Sequence, residues 1–174
     1  MGSGIAEVAA KAGFDTVVRE VSDVLLEKGM GKIRGSLGKA VEKGKMTAEE
    51  RDAVLGRIHG TTGFEAMADC DLVVEAIVEN LEEKKATYAA LDKVVQPGAI
   101  FASNTSSLTV TQLAMATSRP SRFVGLHFFN PAPLMALVEI VSGLATDPAV
   151  ADTLFATAAA WGKTPVHAKS TPGF

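Results

Sequence analysis

The sequence predicts an α/β protein built on a doubly wound, mostly parallel sheet. Segments rich in valine and isoleucine alternate along the chain with segments whose apolar residues recur at helical spacing. The run DLVVEAIV at 71–78 is almost continuously apolar, which is typical of a parallel strand covered by helices on both faces. Because strands alternate with helices and no linker interrupts them, we expect one domain over residues 1–174.

The first third of the chain is predicted to hold one strand and three helices. A helix over 5–12 ends before a glycine, and DTVVRE at 15–20 follows as a short strand. Apolar residues at helical spacing predict a second helix over 24–42. Thr47 and Glu50 form the Ser/Thr-x-x-Glu capping box that begins a third helix. The last two helices are joined by a short link and predict a helical hairpin inserted after the strand.

The remaining elements alternate in type. Helices are predicted over NLEEKKATYAALDKVV, over TVTQLAMAT with a second capping box at Thr109 and Gln112, and after Asp147 and Pro148. Strands are predicted at AIFASN, RFVGLHFF, ALVEIV and TPVHA.

Composition and charge exclude several classes of partner and site. The net charge of −3 gives no reason to expect nucleic acid or an anionic membrane as a partner. No apolar run reaches the roughly 20 residues that span a bilayer. A single cysteine and three widely separated histidines argue against a metal site. We therefore expect a cytoplasmic protein that acts on small molecules without a metal.

The start of the chain matches part of a dinucleotide-binding turn. In the motif G-x-G-x-x-G the last glycine lets the following helix pack closely on the sheet, and Gly2 fits that position. Glu20 lies 18 residues later, where a carboxylate would bind the adenosine ribose and favour NAD over NADP. The adjacent Arg19 weakens that argument. The alternative is a helix that simply begins with glycines, followed by a solvated carboxylate.

Polar side chains cluster where two neighbouring strands are predicted to end. SNTSSL at 103–108 follows one strand, and His127 and Asn130 end the next. Ligands of open α/β sheets bind outside the carboxyl ends of the strands. Glu139 interrupts an apolar strand, and a buried carboxylate needs a partner such as His127. This combination predicts acid–base chemistry.

Three alternatives remain at this cluster. His127, between Leu126 and Phe128, fits a core histidine that is satisfied by its neighbours. Glu139 fits an edge strand that faces solvent, and serines and asparagine after a strand fit turns and helix caps.

Five segments carry a resemblance to a known family. They are MGSGIAEVAAKAG, DLVVEAIVENLEEKK, SNTSSL, GLHFFNPAPLMALVEIV and TPGF. Over its whole length the chain resembles the Rossmann-type NAD-binding domain of the 3-hydroxyacyl-CoA dehydrogenases, particularly the bacterial 3-hydroxybutyryl-CoA dehydrogenases. The resemblance implies NAD-dependent oxidation of a (3S)-3-hydroxyacyl-CoA to the 3-ketoacyl-CoA, or the reverse.

The resemblance also implies a role for each matching residue. His127 corresponds to the catalytic base, and Glu139 to the residue that orients it. Ser106 and Asn130 match residues that hold the substrate oxygen and the cofactor. The remaining matches are Glu79 and Lys84 at the nicotinamide end of NAD, Gly2 and Glu20 on its adenosine side, and Ser36, Lys43, Lys84 and Ser106 toward CoA.

The family pattern extends beyond the residues of this chain. It has a first strand and the front of the glycine motif before the residue matching Met1, and a helical domain after TPGF. We therefore expect a partial domain of a longer protein, whose strands at 15–20 and 71–78 lack their shared neighbour. By itself this chain is expected to be poorly stable and inactive, and homodimer contacts are expected in the missing helical domain.

Two other functions remain as alternatives. A non-catalytic, crystallin-like relative would keep the fold without the chemistry, but it would not need His127, Glu139, Ser106 and Asn130 together. A hydroxyacid dehydrogenase with a lysine base is disfavoured, because no lysine lies in the strand-end cluster.

Overall fold

The computed structural model describes residues 1–171, so only Thr171 of the segment TPGF lies within it. In chain order the main elements are α1 (Gly2–Lys11), β1 (Thr16–Arg19), α2 (Asp23–Glu42), α3 (Ala48–Gly56), β2 (Ile58–Thr61), β3 (Leu72–Glu75), α4 (Leu81–Val94), β4 (Ile100–Ser103), α5 (Val110–Ala114), β5 (Phe123–Phe128), β6 (Leu137–Ser142), α6 (Pro148–Ala160) and β7 (Thr164–Lys169). Short 3-10 turns lie at Glu65–Met67 and Pro120–Arg122. None of the helices within 1–171 is long and apolar enough to cross a membrane.

The strands form two sheets. β1 and β2 pair in parallel, and the second sheet has the order β3-β4-β5-β6-β7. In the larger sheet every pair is parallel except β5 and β6, which are antiparallel. The predicted α/β class with a mostly parallel sheet is confirmed. β1 and β3 belong to different sheets, in agreement with the expectation that the strands at 15–20 and 71–78 share no neighbour.

Helices cover both faces of the larger sheet. On β5, Val124, Leu126 and Phe128 point into a cluster with residues of α1 and α6. Phe123 points the other way, against residues of α4 and α5. Side chains alternate along a strand, so His127 lies on the α4–α5 face together with Phe123. The doubly wound arrangement therefore determines which face of β5 carries the histidine.

The predicted helical hairpin is present and packs on α1. Ile33 and Leu37 of α2 join Val54 of α3 in one cluster with Ala6 and Ala10 of α1. The capping box that begins α3 also forms: the Thr47 hydroxyl accepts from the Glu50 amide at 3.1 Å, and the Glu50 carboxylate accepts from the Thr47 amide at 2.9 Å.

Two local predictions were wrong. The residues of β2, IHGT, were not predicted as a strand, although they pair with all of β1. The second capping box is absent, because Thr109 makes no side-chain cap bond to α5. The first amide of α5, on Val110, instead donates to the Ser170 hydroxyl at 3.1 Å.

Trp161 joins the end of α6 to the larger sheet. It is the single tryptophan of the sequence. Its ring lies 6.2 Å from that of Phe128 on β5 and 6.1 Å from that of Phe14 beyond α1. The tryptophan therefore contacts β5 at Phe128, the residue that directly follows His127.

Candidate active site

His127 and Glu139 face each other across β5 and β6. The antiparallel register places them directly opposite, and Nδ1 of His127 lies 2.9 Å from Oε1 of Glu139. Both side chains are largely buried, with exposed fractions of 14% and 11%. Glu139 therefore does not face solvent on an edge strand. A carboxylate at Nδ1 fixes the ring orientation and stabilises the imidazolium form, as required of a general base.

A cavity of about 510 Å³ opens beside this pair. It is lined by Met1, the segment 76–79, Lys84, Asn104, Ser106 and the segment 127–130. The cavity brings together five residues that the sequence singled out: His127, Asn130, Ser106, Glu79 and Lys84. It lies at the carboxyl ends of β3, β4 and β5, where ligands of open α/β sheets bind.

Glu79 holds the loop after β4 at one side of the cavity. Its carboxylate accepts from the Ser106 amide at 2.9 Å, the Ser106 hydroxyl at 3.1 Å and the Thr105 hydroxyl at 2.9 Å. Partial burial acts to raise the pKa of Glu79, but these bonds and the nearby Lys84 outweigh it, so the pKa lies below its usual value. Glu79 is therefore ionised at neutral pH and keeps Ser106 in place.

Asn104 and Asn130 frame the end of β5. The Asn104 side-chain oxygen accepts from the Phe128 amide at 2.8 Å, which ties the loop after β4 to β5 beside His127. Asn130 is exposed and lies at the start of a turn. The ammonium of Lys163 stabilises this turn by donating to the carbonyls of Ala132 at 2.6 Å and Met135 at 2.8 Å. Asn104 is thus fixed by its own bond to β5, and the turn that follows Asn130 is fixed by Lys163.

The N-terminus of α1 lies against the same edge of the sheet. A Cβ at Gly2 would meet Ala76 at an ordinary 3.8 Å, whereas one at Gly4 would lie 3.0 Å from Cδ of Pro133 and 3.2 Å from Cβ of Ala132. The closer contact of the two is thus at Gly4, against the turn at 130–133, and Gly2 stays a predicted position of the glycine motif. The first turn of α1 has no side-chain cap, so its amides are available to an anionic ligand.

We expect Gly4→Ala to lower the free energy of unfolding by about 1–3 kcal/mol, because the rigid proline ring leaves no room for a methyl group. Gly35→Ala is the matched control, since it lies in α2 with nothing within 4 Å of the added carbon. That change is expected to stabilise by about 0.5–1 kcal/mol. Urea unfolding of both variants measures the difference. Equal effects of the two changes would contradict the close contact at Gly4.

Glu20 and Arg19 lie at the end of β1. The Glu20 amide donates to the Thr61 carbonyl at 3.1 Å, and the side chain is half-buried outside the main cavity. Arg19 donates to the Thr62 carbonyl at 3.0 Å, and its guanidinium lies 3.9 Å from the ring centre of Phe64. The arginine cation beside Glu20 is thus engaged with the residues that follow β2.

Ser36 and Lys43 differ in their relation to the site. Ser36, exposed on α2, lines a second cavity of about 220 Å³ that shares Met1 and Asn130 with the first. Lys43 follows the end of α2 and lines neither cavity. Lys32, one helical turn before Ser36, lines the second cavity and was not predicted. Among residues 1–171 no group of three or more potential ligands could hold a metal ion.

Comparison with known proteins identifies the family. The family model described as "3-hydroxyacyl-CoA dehydrogenase, NAD binding domain" matches residues 1–171. The chain belongs to this family. Its resemblance to the 3-hydroxyacyl-CoA dehydrogenases, the enzyme class of its relatives and NAD as the cofactor of this domain are thereby confirmed.

Individual 3-hydroxyacyl-CoA dehydrogenases match the whole chain. A probable 3-hydroxybutyryl-CoA dehydrogenase of Deinococcus radiodurans is 51% identical over 174 residues, which is 100% of this chain and 62% of that protein. A 3-hydroxyadipyl-CoA dehydrogenase of Escherichia coli is 45% identical over 100% of this chain and 37% of its own length. The crystal structure of the (S)-3-hydroxybutyryl-CoA dehydrogenase of Ralstonia eutropha superimposes with a TM-score of 0.98 at 40% identity, over 100% of this chain and 62% of that one. The chain thus spans at most about three-fifths of these relatives.

Proposed function

We propose that this chain binds NAD and supplies the catalytic base of an NAD-dependent (3S)-3-hydroxyacyl-CoA dehydrogenase that acts on substrates such as 3-hydroxybutyryl-CoA. The observation that supports this most directly is the His127–Glu139 pair at the wall of the cavity. Because the chain spans about three-fifths of the relatives, NAD binding is proposed for the chain and turnover for the whole protein. A non-catalytic relative would not need this pair, so the catalytic function is preferred.

The residues around the cavity fit a dinucleotide. The uncapped first turn of α1 offers backbone amides to a pyrophosphate, and Gly4 lets the helix approach the turn at 130–133. Glu79 and Lys84 would lie near the nicotinamide end, and Glu20 would bind the adenosine ribose. Ser36 and Lys43 are proposed to contact CoA, together with Lys84 and Ser106.

In the proposed reaction the side chains of this chain carry out the proton transfer. His127 removes the proton of the 3-hydroxyl at Nε2, and Glu139 stabilises the resulting imidazolium through Nδ1. Ser106 and Asn130 hold the substrate oxygen beside the histidine. When bound, NAD accepts the hydride that leaves C3 of the acyl chain.

The whole protein is further proposed to be a cytoplasmic homodimer without nucleic-acid or membrane partners. The net charge of −3 supports the absence of nucleic-acid and anionic-membrane partners, and the homodimer rests on the family resemblance alone.

We expect Glu20→Ala to weaken NADH binding by about tenfold or more, because hydrogen bonds to a charged acceptor are lost. The same change removes repulsion of a 2′-phosphate, so the ratio of NADH to NADPH affinity should fall. Calorimetric titration of the chain with both nucleotides measures this. Asp23→Ala, an exposed acid in the first turn of α2, is the control and should leave the ratio unchanged. An unchanged ratio in Glu20→Ala would contradict the ribose assignment, and absence of NADH binding by the unaltered chain would contradict the proposed function.

A further inference from the structure

A second buried carboxylate lies beneath the cavity, on a residue to which no role has been assigned. Glu75 ends β3 and is 4% exposed. Its Oε2 accepts from the Ile77 amide at 2.9 Å and from Nζ of Lys84 at 2.5 Å. Its Oε1 accepts from the Ser103 hydroxyl at 2.7 Å and the Tyr88 hydroxyl at 3.2 Å. Four donors, two on α4, one on β4 and one in the loop after β3, thus converge on this single side chain.

Lys84 is buried as deeply as Glu75. The lysine is 1% exposed, although it lines the cavity. Besides its bond to Glu75, its ammonium lies 3.4 Å from Oε1 of Glu79. A buried ammonium is costly unless a carboxylate and hydrogen-bond acceptors surround it. Glu75 supplies the inner carboxylate, so it determines where the lysine charge is held.

The contacts continue from Lys84 to the cavity surface. Glu79 receives the lysine on one side and the amide and hydroxyl of Ser106 on the other. A continuous series of charged groups therefore runs from Glu75 in the core through Lys84 to Glu79, which in turn binds Ser106. Lys84, Glu79 and Ser106 all line the cavity, whereas Glu75 does not.

We propose that Glu75 is a positioning residue that holds the Lys84 ammonium at the cavity wall and, through it, keeps Glu79 against Ser106. This inference rests on the proposed NAD site, because its functional consequence is a prearranged surface for the nicotinamide end of the cofactor. Without the inner carboxylate, the ammonium moves out of the core toward Glu79 and the cavity, and competes there with Ser106.

Two bonds to Glu75 provide matched controls. The Tyr88 hydroxyl donates to Glu75 and to the Ala102 carbonyl at 2.9 Å, and the Ser103 hydroxyl donates to Glu75. Burial and the neighbouring Glu75 raise the pKa of Tyr88 well above its usual value, so it remains a neutral donor. Tyr88→Phe and Ser103→Ala therefore each remove one bond to the carboxylate without removing a bond to Lys84.

The first test measures the chemical reactivity of Lys84, which does not depend on cofactor binding. Acetylation of the full chain, followed by peptide mass spectrometry, gives the modification rate of each lysine. Glu75→Gln is expected to raise the rate at Lys84 by about tenfold or more, as expected when a strong charge-assisted bond is lost. In Tyr88→Phe the rate should stay at the level of the unaltered chain. Equal rates in the two variants would overturn the proposal.

The second test measures NADH affinity by titration of the same variants. Glu75→Gln should weaken binding by about tenfold to a hundredfold, and Tyr88→Phe should leave affinity unchanged even where it lowers stability. If the unaltered chain binds no NADH, the proposed function fails, and the reactivity of Lys84 alone decides the positioning role. Unchanged affinity in Glu75→Gln, with NADH bound by the unaltered chain, would overturn the proposal.

A conservative variant covers the case in which Glu75→Gln does not fold. Glu75→Asp keeps the charge but withdraws it by one methylene, so it should raise the Lys84 modification rate to a level between the unaltered chain and chain unfolded in urea. A rate equal to that of the unaltered chain would overturn the proposal.

The double change Glu75→Gln with Lys84→Gln leaves no unpaired buried charge, and should recover stability relative to Glu75→Gln without recovering NADH affinity. Recovery of affinity in the double variant would also overturn it.

Discussion

Replacing His127 by glutamine is expected to lower turnover by about 10²- to 10⁴-fold in a protein of the relatives' length that contains this chain. Glutamine approximates the size of the ring and keeps polar atoms near Glu139, but it cannot take up the hydroxyl proton. NADH affinity should be retained, because the proposed cofactor contacts involve other side chains of the cavity. Steady-state reduction of acetoacetyl-CoA, together with NADH titration, separates the two effects.

Two further variants test whether a loss of turnover in His127→Gln is specific to the His127–Glu139 pair. His59→Gln changes an exposed histidine on β2 and should leave turnover unchanged. Glu139→Gln keeps a hydrogen-bond acceptor opposite Nδ1 but removes the charge that stabilises the imidazolium, so turnover should fall without a loss of NADH affinity. Turnover of His127→Gln equal to that of the unaltered protein would remove the histidine from the mechanism.

Replacing Arg119 by alanine is expected to lower the free energy of unfolding by about 3–5 kcal/mol. Arg119 is 7% exposed and binds the segment that follows α4, beginning at the C-cap residue Val95. Its guanidinium bonds Asp92 at 2.9 Å and lies 4.2 Å from the ring centre of Phe101. It also donates to the carbonyls of Val95, Gln96 and Ala99. Alanine removes this donor from the three carbonyls and leaves Asp92 with only its bonds from Ser118.

Urea unfolding of Arg119→Ala and Arg51→Ala measures this expectation. Arg51 bonds Asp52 on an exposed face of α3, so its loss should change stability by less than about 1 kcal/mol. A similarly small effect for Arg119→Ala would show that water replaces the arginine at the end of α4.

The same pair predicts how stability depends on pH. Burial acts to raise the pKa of Asp92, but bonds from Ser118 and from Arg119 outweigh it and hold the pKa below its usual value. A carboxyl group whose pKa is lowered by folding stabilises the native state above its unfolded pKa of about 4, and this contribution is lost as the pH falls through the native value. The difference in free energy of unfolding between the unaltered chain and Arg119→Ala should therefore be largest at neutral pH and decrease as the pH falls below about 4.

Two strands of the larger sheet, β3 and β6, each carry an acidic residue inside an apolar segment. Glu139 interrupts the apolar segment ALVEIV, which predicts a buried partner, and the structure places it against His127. Glu75 interrupts DLVVEAIV in the same way and has four donors around it, although the apolar run by itself predicts only a strand. An acidic residue inside a buried strand predicts a partner in both cases. Only the fold shows which partner Glu75 has, because Lys84 reaches it from the following helix, α4.

Other features of the fold depend on contacts that local patterns do not contain. The segment IHGT lacks the alternation of a strand and becomes β2 only because β1 lies beside it. Arg119 gives no sign in the sequence that it binds the segment after α4, since its acceptor carbonyls lie 20 or more residues away in the chain. Lys32, rather than Lys43, reaches the second cavity because it lies one turn before Ser36, whereas Lys43 lies past the end of α2, about three turns farther along the helix axis.

The place of Trp161 gives this protein an intrinsic optical reporter. All tryptophan emission comes from one ring, and that ring packs on Phe128, the neighbour of the proposed base. Reduced nicotinamide absorbs light in the range where tryptophan emits, so a docked NADH would quench this emission by energy transfer. The fluorescence of Trp161 can therefore report cofactor binding and local changes in β5 in one titration, without a label and without turnover.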